Sequence, residues 1–204
     1  MFYQPKDGHG LPHDPFKACV VPRPIGWFTS LDRNGELNLA PYSFFNAVAD
    51  SPPIIMFSAT GQHVDGGVKD TPSNIEDTGE FVFNLVTYDL REQMNATSAP
   101  LARSQNEADQ AGLEMLPSLL VKPPRVAASP VHFECKFLKR VDLPSTRKDG
   151  INRVIFGEVV GIHIDDSLIS DGLIDIVRAK PVSRLGYMDY AVLENAFSMD
   201  RPGR

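Results

Sequence analysis

Cysteine is scarce in this chain of 204 residues: Cys19 and Cys135 stand far apart, with no CxxC pair. That excludes a zinc knuckle and a disulfide-built scaffold, and two reduced, mostly buried thiols in a cytoplasmic protein are expected instead. Cationic charge is in the minority, 20 Lys and Arg against 26 Asp and Glu for a net −6. A broad basic face for nucleic acid or for an anionic membrane surface is therefore excluded, while a local basic pocket for a small phosphate is not. No apolar run approaches the roughly 20 residues that span a bilayer. The opening MFYQPKDGHG lacks the basic-then-apolar layout of a secretory signal. There is no GxGxxG after a strand and no phosphate-binding GxxxxGK[ST], so neither a Rossmann nor a nucleoside-triphosphate site is expected. The histidines at 9, 13, 63, 132 and 163 have no ligand spacing, and no metal is expected.

What is abundant is punctuation: 17 prolines and 15 glycines divide the chain into short segments. Residues 1–16 read as an irregular arm, and 17–21 as a first strand ended by Pro22 and Pro24. Alternation over 25–31, Asn34-Gly35, and a return over 36–40 form the strongest short hairpin signal available. Residues 42–48 read as extended, and 54–59 as a strand buried on both faces. After a polar loop at 61–68, Thr71-Pro72 marks a helix start with threonine as cap, Ser73-x-x-Glu76 gives an overlapping alternative, and Gly79 is the stop. A strand follows at 80–86, then helices at 88–98 and 104–112. The proline-rich 116–130 reads as extended. In 131–141, Val131, Phe133, Cys135 and Phe137 point one way and His132, Glu134 and Lys136 the other, as in a half-buried strand. Residues 152–164 form a long strand whose glycines suggest bulges. The expected fold is mainly β, a β-barrel with short helices. Without repeat or composition break, 1–204 is read as one domain, with 165–204 as a C-terminal extension.

Three groups carry chemistry. Lys69-Asp70-Thr71-Pro72 puts a cation beside a helix N-terminus, a natural phosphate seat. Arg23, Thr29 and Ser30 form the second group; Thr29 and Ser30 point to opposite sheet faces, so at most one side chain meets a given ligand. In the third, residues 38–46, Ser43 and Asn46 sit among Tyr42, Phe44 and Phe45. A flat heteroaromatic ring needs that mixture of apolar surface and polar edge partners; one of the two phenylalanines is expected to fill the core instead.

Together the motifs RPIGWFTS, NGELNLAPYSFFN, SPPIIMFS, KDTPSNI, EFVFNLV, HFECKF, GEVVGIHID and SRLGY resemble, in order, the flavin-reductase-like, FMN-binding split-barrel family, which includes flavoredoxins and the reductase components of two-component monooxygenases. The resemblance runs over about residues 23–187. It implies a Greek-key split barrel binding FMN, with Thr29 and Ser30 by the ribityl phosphate. It also implies Ser43, Phe44, Phe45 and Asn46 along the ring, and Ser58, Lys69, Asp70, Thr71 and Asn74 completing the phosphate side. Trp27 would lie at the ring or in the core. The implied activity is NADH- or NADPH-dependent flavin reduction, with a flavoredoxin-like electron carrier as the alternative. The implied assembly is a homodimer with flavin at the interface, Arg184 and Tyr187 reaching in from the partner chain, and a partner monooxygenase as electron acceptor. No catalytic acid or base is implied.

Overall fold

The computed structural model describes residues 1–102 and 105–203. In chain order its elements are α1 (Phe16–Cys19), β1 (Arg23–Pro24), β2 (Gly26–Leu31), β3 (Leu37–Tyr42), β4 (Phe45–Asp50), β5 (Pro53–Thr60), α2 (Asp70–Thr78), β6 (Glu80–Leu85), α3 (Arg91–Ala96) and α4 (Glu107–Gln110). There follow β7 (Met115–Leu116), β8 (Arg125–Val126), β9 (Val131–Leu143), β10 (Asn152–Ile164), β11 (Ile169–Ser170), β12 (Leu173–Ile174), β13 (Val182–Arg184) and β14 (Tyr190–Val192). Seven strands pair antiparallel in the order β3-β2-β6-β9-β10-β5-β4. The outer strands β3 and β4 are consecutive in sequence and separated only by Ser43 and Phe44. A flat sheet would hold strands six positions apart about 29 Å from each other. A two-residue link reaches at most about 11 Å between flanking Cα atoms. The sheet must therefore curl until its two edges meet at that corner, where the Ser58 N–H donates to the Phe44 carbonyl at 2.8 Å.

Inside the curl is an aromatic core. Phe28 stacks on Phe57 at 4.4 Å between centroids and meets Phe81 edge-on at 5.6 Å. Phe45 stacks on Phe83 at 4.9 Å. Gly157 is glycine for packing reasons: a Cβ there would stand 2.3 Å from the Phe81 ring. A second cluster, built on Trp27, Leu39, Leu90, Met94 and Val182, lies under α3 and α4.

The expected hairpin, the strand over 152–164 and the Gly79 helix stop are all present; Gly79 has φ 77° and its N–H donates to Ile75. β10 carries its expected irregularities between Phe156 and Gly157 and between Val159 and Gly161.

Other expectations are corrected. Residues 17–21 are not a strand: Asp14 Oδ1 accepts the Phe16 N–H at 2.9 Å and turns the chain into α1, so the first strand begins at Arg23. Cys19 is exposed rather than buried, unlike Cys135. β5 buries only one face, through Ile55, Phe57 and Ala59. The cap of α2 is Lys69, which places Thr71 and Pro72 inside the helix. The helix expected over 88–98 splits into a 3-10 turn at Tyr88–Leu90 and α3. The one expected over 104–112 shortens to α4, capped by the Asn106 side chain; Ser104 lies outside the described residues. On β9 the polar face is buried at His132 and Glu134, while Lys136 is exposed. Glu134 is fully buried and accepts the backbone N–H groups of Leu119, Leu120 and Val121, so the 117–124 loop covers His132 and Glu134. The chain beyond 165 returns to the body: β13 pairs with β1, Arg184 opposite Arg23, and with β14.

Candidate functional site

The corner where the barrel edges meet and the first turn of α2 open onto one cleft of about 350 Å³. Asn38, Ala40 and Tyr42 of β3 supply its floor, and Ser43 and Phe44 the corner itself. Ser58 and Thr60 of β5 form one wall, Lys69, Asp70 and Thr71 the opposite one, and residues 97–101 the far rim. The volume falls within the range of small-molecule sites, about 300–1,000 Å³.

The helix start is unusual. Lys69 occupies the cap position in extended geometry, and among the described residues no side chain caps the helix. A helix N-terminus carries a partial positive charge that an anion stabilises. Lys69 adds a full one. Its ammonium is half-buried, 6.0 Å from the Tyr42 ring centroid, and among the described residues no carboxylate pairs with it. Burial pulls its pKa below the usual lysine value. An anion in the cleft would restore what desolvation removes.

The acids nearby are otherwise engaged. Asp70 Oδ2 lies 3.2 Å from His63 Nε2. Glu107, from α4, accepts the Leu39 N–H at 3.1 Å, and burial holds its carboxyl above the usual range.

A buried polar network fixes the helix start against the hairpin. Asn38 Nδ2 donates to Thr71 Oγ1 at 2.7 Å, and Asn74 Nδ2 donates to Ser30 Oγ at 3.3 Å. Tyr42 is buried, which pushes its hydroxyl well above the usual phenol range, and it shares a hydrogen bond with Thr71. Buried polar groups of this kind stabilise only when all are paired, so the network fixes one arrangement.

Of the twelve residues expected at the site, Ser43, Phe44, Ser58, Lys69, Asp70 and Thr71 line the cleft. The other six stand behind it or away from it. Ser30 and Asn74 belong to the network just described. Thr29 is fully buried on the other face of β2 and donates to the Pro124 carbonyl at 2.6 Å, holding the 117–124 loop. Trp27 is fully buried, and its indole N–H donates to Thr97 Oγ1 at 2.9 Å, on the cleft's far rim. Phe45 packs in the aromatic core. Asn46 is exposed on the edge strand, where its Oδ1 accepts the Ala47 N–H at 2.9 Å. Glu107, Lys17 and the 97–101 rim reach the cleft from distant segments without any local motif to announce them. Arg184 stands opposite Arg23 in the β1–β13 register and, like Tyr187, is not among the residues that line the cleft within this chain.

Known proteins are similar to this chain in sequence and fold. A protein of Aquifex aeolicus (strain VF5), itself described as uncharacterized, is 40% identical over 170 residues, 83% of each chain. The crystal structure of nitrilotriacetate monooxygenase component B from Bacillus cereus superposes with a TM-score of 0.87 at 31% identity, covering 98% of both chains. Flavoredoxin of Desulfovibrio vulgaris (Miyazaki F) has the same fold, with a TM-score of 0.77 at 18% identity over 90% of this chain and 93% of its own. The family model described as flavin reductase like domain matches residues 18–181, which takes in the curled sheet, the corner and the start of α2, and the chain belongs to that family.

Proposed function

We propose that the cleft binds flavin mononucleotide and that the protein is an NADH- or NADPH-dependent flavin oxidoreductase. The observation that carries this reading is Lys69, a half-buried cation without a carboxylate partner among the described residues, set at an uncapped helix start. That is a phosphate seat, and it fits the mononucleotide's one dianionic group. Lys69, the first turn of α2 and the Ser58 hydroxyl would hold the phosphate. Ser43 and Phe44 would hold the ring, Phe44 through its face and Ser43 at the polar edge. Thr71 is kept in place by Asn38, and the far rim by Trp27 through Thr97. Trp27, Ser30 and Asn74 thus support the site from behind.

Flavin, when bound, would supply hydride-accepting chemistry that the side chains of the cleft lack. The protein's own work is to orient the ring, neutralise the phosphate and keep water from one face. No side chain is assigned a proton transfer.

Two further parts of the reading concern partners. Exposed apolar side chains on β9 and β10, among them Leu138, Val141, Ile162 and Ile164, favour a second copy of the chain as their cover. A monooxygenase as electron acceptor is supported by the name of the Bacillus cereus relative, a monooxygenase component.

The test is direct. Purified protein titrated with FMN should show saturable binding and a perturbed blue absorbance band, and the complex should oxidise NADH or NADPH in steady state. Protein that fails to bind FMN refutes the cofactor; FMN binding without nicotinamide oxidation refutes the reductase activity.

A further inference from the structure

The segment that joins β5 to α2 folds into a tight turn. The Gly66 N–H donates to the His63 carbonyl at 2.9 Å, and the His63 N–H donates to the Gly67 carbonyl at 3.0 Å. Gly66 and Gly67 take positive φ, 85° and 76°, which glycine alone adopts freely. The turn brings the His63 side chain to the lining of the cleft, where it is only 9% exposed.

The two ring nitrogens have different partners. Nδ1 accepts the Asp65 N–H at 3.0 Å, so in the neutral ring the proton sits on Nε2. Nε2 lies 3.2 Å from Asp70 Oδ2. A second proton goes to Nδ1, and Asp65 Oδ2 stands 3.5 Å away to face it. Charging the ring therefore exchanges one Asp65 partner for another, the backbone N–H for the carboxylate.

Asp70 is the first residue of α2, where a carboxylate stabilises the positive helix end of the empty protein. The same helix start is the phosphate seat assigned above. A phosphate arriving there meets a carboxylate whose side chain is only 19% exposed, so water screens little of the repulsion.

The other charges of the lining do not remove that repulsion. Lys69 at the cap and Lys17 of α1 supply two positive charges, and Asp70 and Glu107 of α4 two negative ones. Burial holds the Glu107 carboxyl above the usual range; Asp70 pushes it further up and His63 draws it down. With His63 neutral and both acids ionised the lining sums to zero, and a flavin phosphate then adds nearly two negative charges.

Resting on the flavin reading above, we propose that His63 selects the phosphorylated flavin: as the phosphate enters, Nδ1 takes a proton from solvent, and the imidazolium offsets Asp70 beside the ligand. His63 is thus a positioning residue that acts on the phosphate through Asp70. FMN binding is coupled to proton uptake, and the binding of riboflavin, which brings no phosphate, is not.

Calorimetry in two buffers of different ionisation enthalpy counts the protons exchanged. At about pH 7.5 the phosphate is already a dianion, its second pKa being about 6, so any uptake belongs to the protein. Wild type should take up a fraction of a proton with FMN and none with riboflavin. FMN affinity should weaken as pH rises above about 7, by at most about tenfold per pH unit, the limit for one linked proton. His63→Gln should abolish the uptake, flatten that profile and bind FMN about tenfold more weakly at pH 7, with riboflavin affinity unchanged. The assigned ¹⁵N resonances of the wild-type His63 ring should move toward the protonated form with FMN and not with riboflavin, a readout that does not depend on how the variant folds. The proposal is overturned if FMN binds wild type without proton uptake, or if riboflavin brings the same uptake. It is equally overturned if His63→Gln takes up the same fraction, which would give the proton to Lys69 or Glu107. The two readings fail separately: absence of FMN binding removes the flavin site, whereas FMN binding without an exchanged proton removes only the role of His63.

Discussion

Replacing Lys69 by methionine separates ligand binding from stability. The ammonium is half-buried, has no carboxylate partner among the described residues, and is drawn below its usual pKa by desolvation. In the empty protein it is therefore a cost. A lysine whose folded pKa is depressed binds protons less readily than in the unfolded chain, so its penalty is fully present below the folded value and disappears as pH rises from there to the unfolded value. Methionine keeps most of the unbranched apolar stem and removes the charge, with its cation–π contact to Tyr42. The thermal midpoint of the ligand-free protein should hold or rise. Binding should behave oppositely: a charged hydrogen bond to phosphate is worth about 1.5–3 kcal/mol, so FMN should bind about ten- to a hundredfold more weakly. Riboflavin has the same ring without the phosphate and should bind wild type and variant alike. Fluorescence titration of both flavins, with calorimetry of the ligand-free proteins, checks all three points. Equal losses for riboflavin and FMN would show that Lys69 supports the ring or the fold, and the phosphate assignment would be wrong.

Thr29→Val tests a placement on which sequence and structure differ: with its bond to the Pro124 carbonyl gone, denaturant unfolding should show a loss of about 1–3 kcal/mol with FMN affinity intact. Gly157→Ala should lower stability by about 1–3 kcal/mol, because its methyl group would overlap the Phe81 ring; scanning calorimetry reads this as a drop in Tm. His132 is held at a pKa of about 4 by burial, so its contribution is present above the unfolded value near 6.5 and is lost as pH falls toward 4. His132→Gln should flatten the slope of stability against pH between about 6.5 and 4.5, measured by urea unfolding at a series of pH values.

Local chemistry made part of this molecule readable in advance. Asn34-Gly35 announced the hairpin because only a few residues tolerate the turn it needs, and Gly79 announced the end of α2 for the same reason. Lys69 and Thr71 were readable because a helix start and a nearby cation lie within a few residues of each other. What stayed hidden depends on partners far along the chain. Alternation assigned Thr29 and Ser30 to opposite faces of β2, but not which face the loop near Pro124 would cover. Glu134 reads as an outward strand residue until the 117–124 segment folds over it. The pairing of Arg23 with Arg184 links the two ends of the chain, and nothing in RPIGW or SRLGY signals it. β5 reads as buried on both faces because the run over 54–59 is apolar but for Ser58; its partly exposed side contributes that residue to the cleft wall.

The two residues that join β3 to β4 serve two ends at once, closing the sheet on itself and forming part of the cleft. A single inserted residue there would slacken the seam and displace the floor in one stroke, so this stretch has little freedom to diverge in length. Tailoring toward new ligands falls instead to the segments at 61–68 and 97–101, which border the same opening but can lengthen or shorten without unfastening any strand.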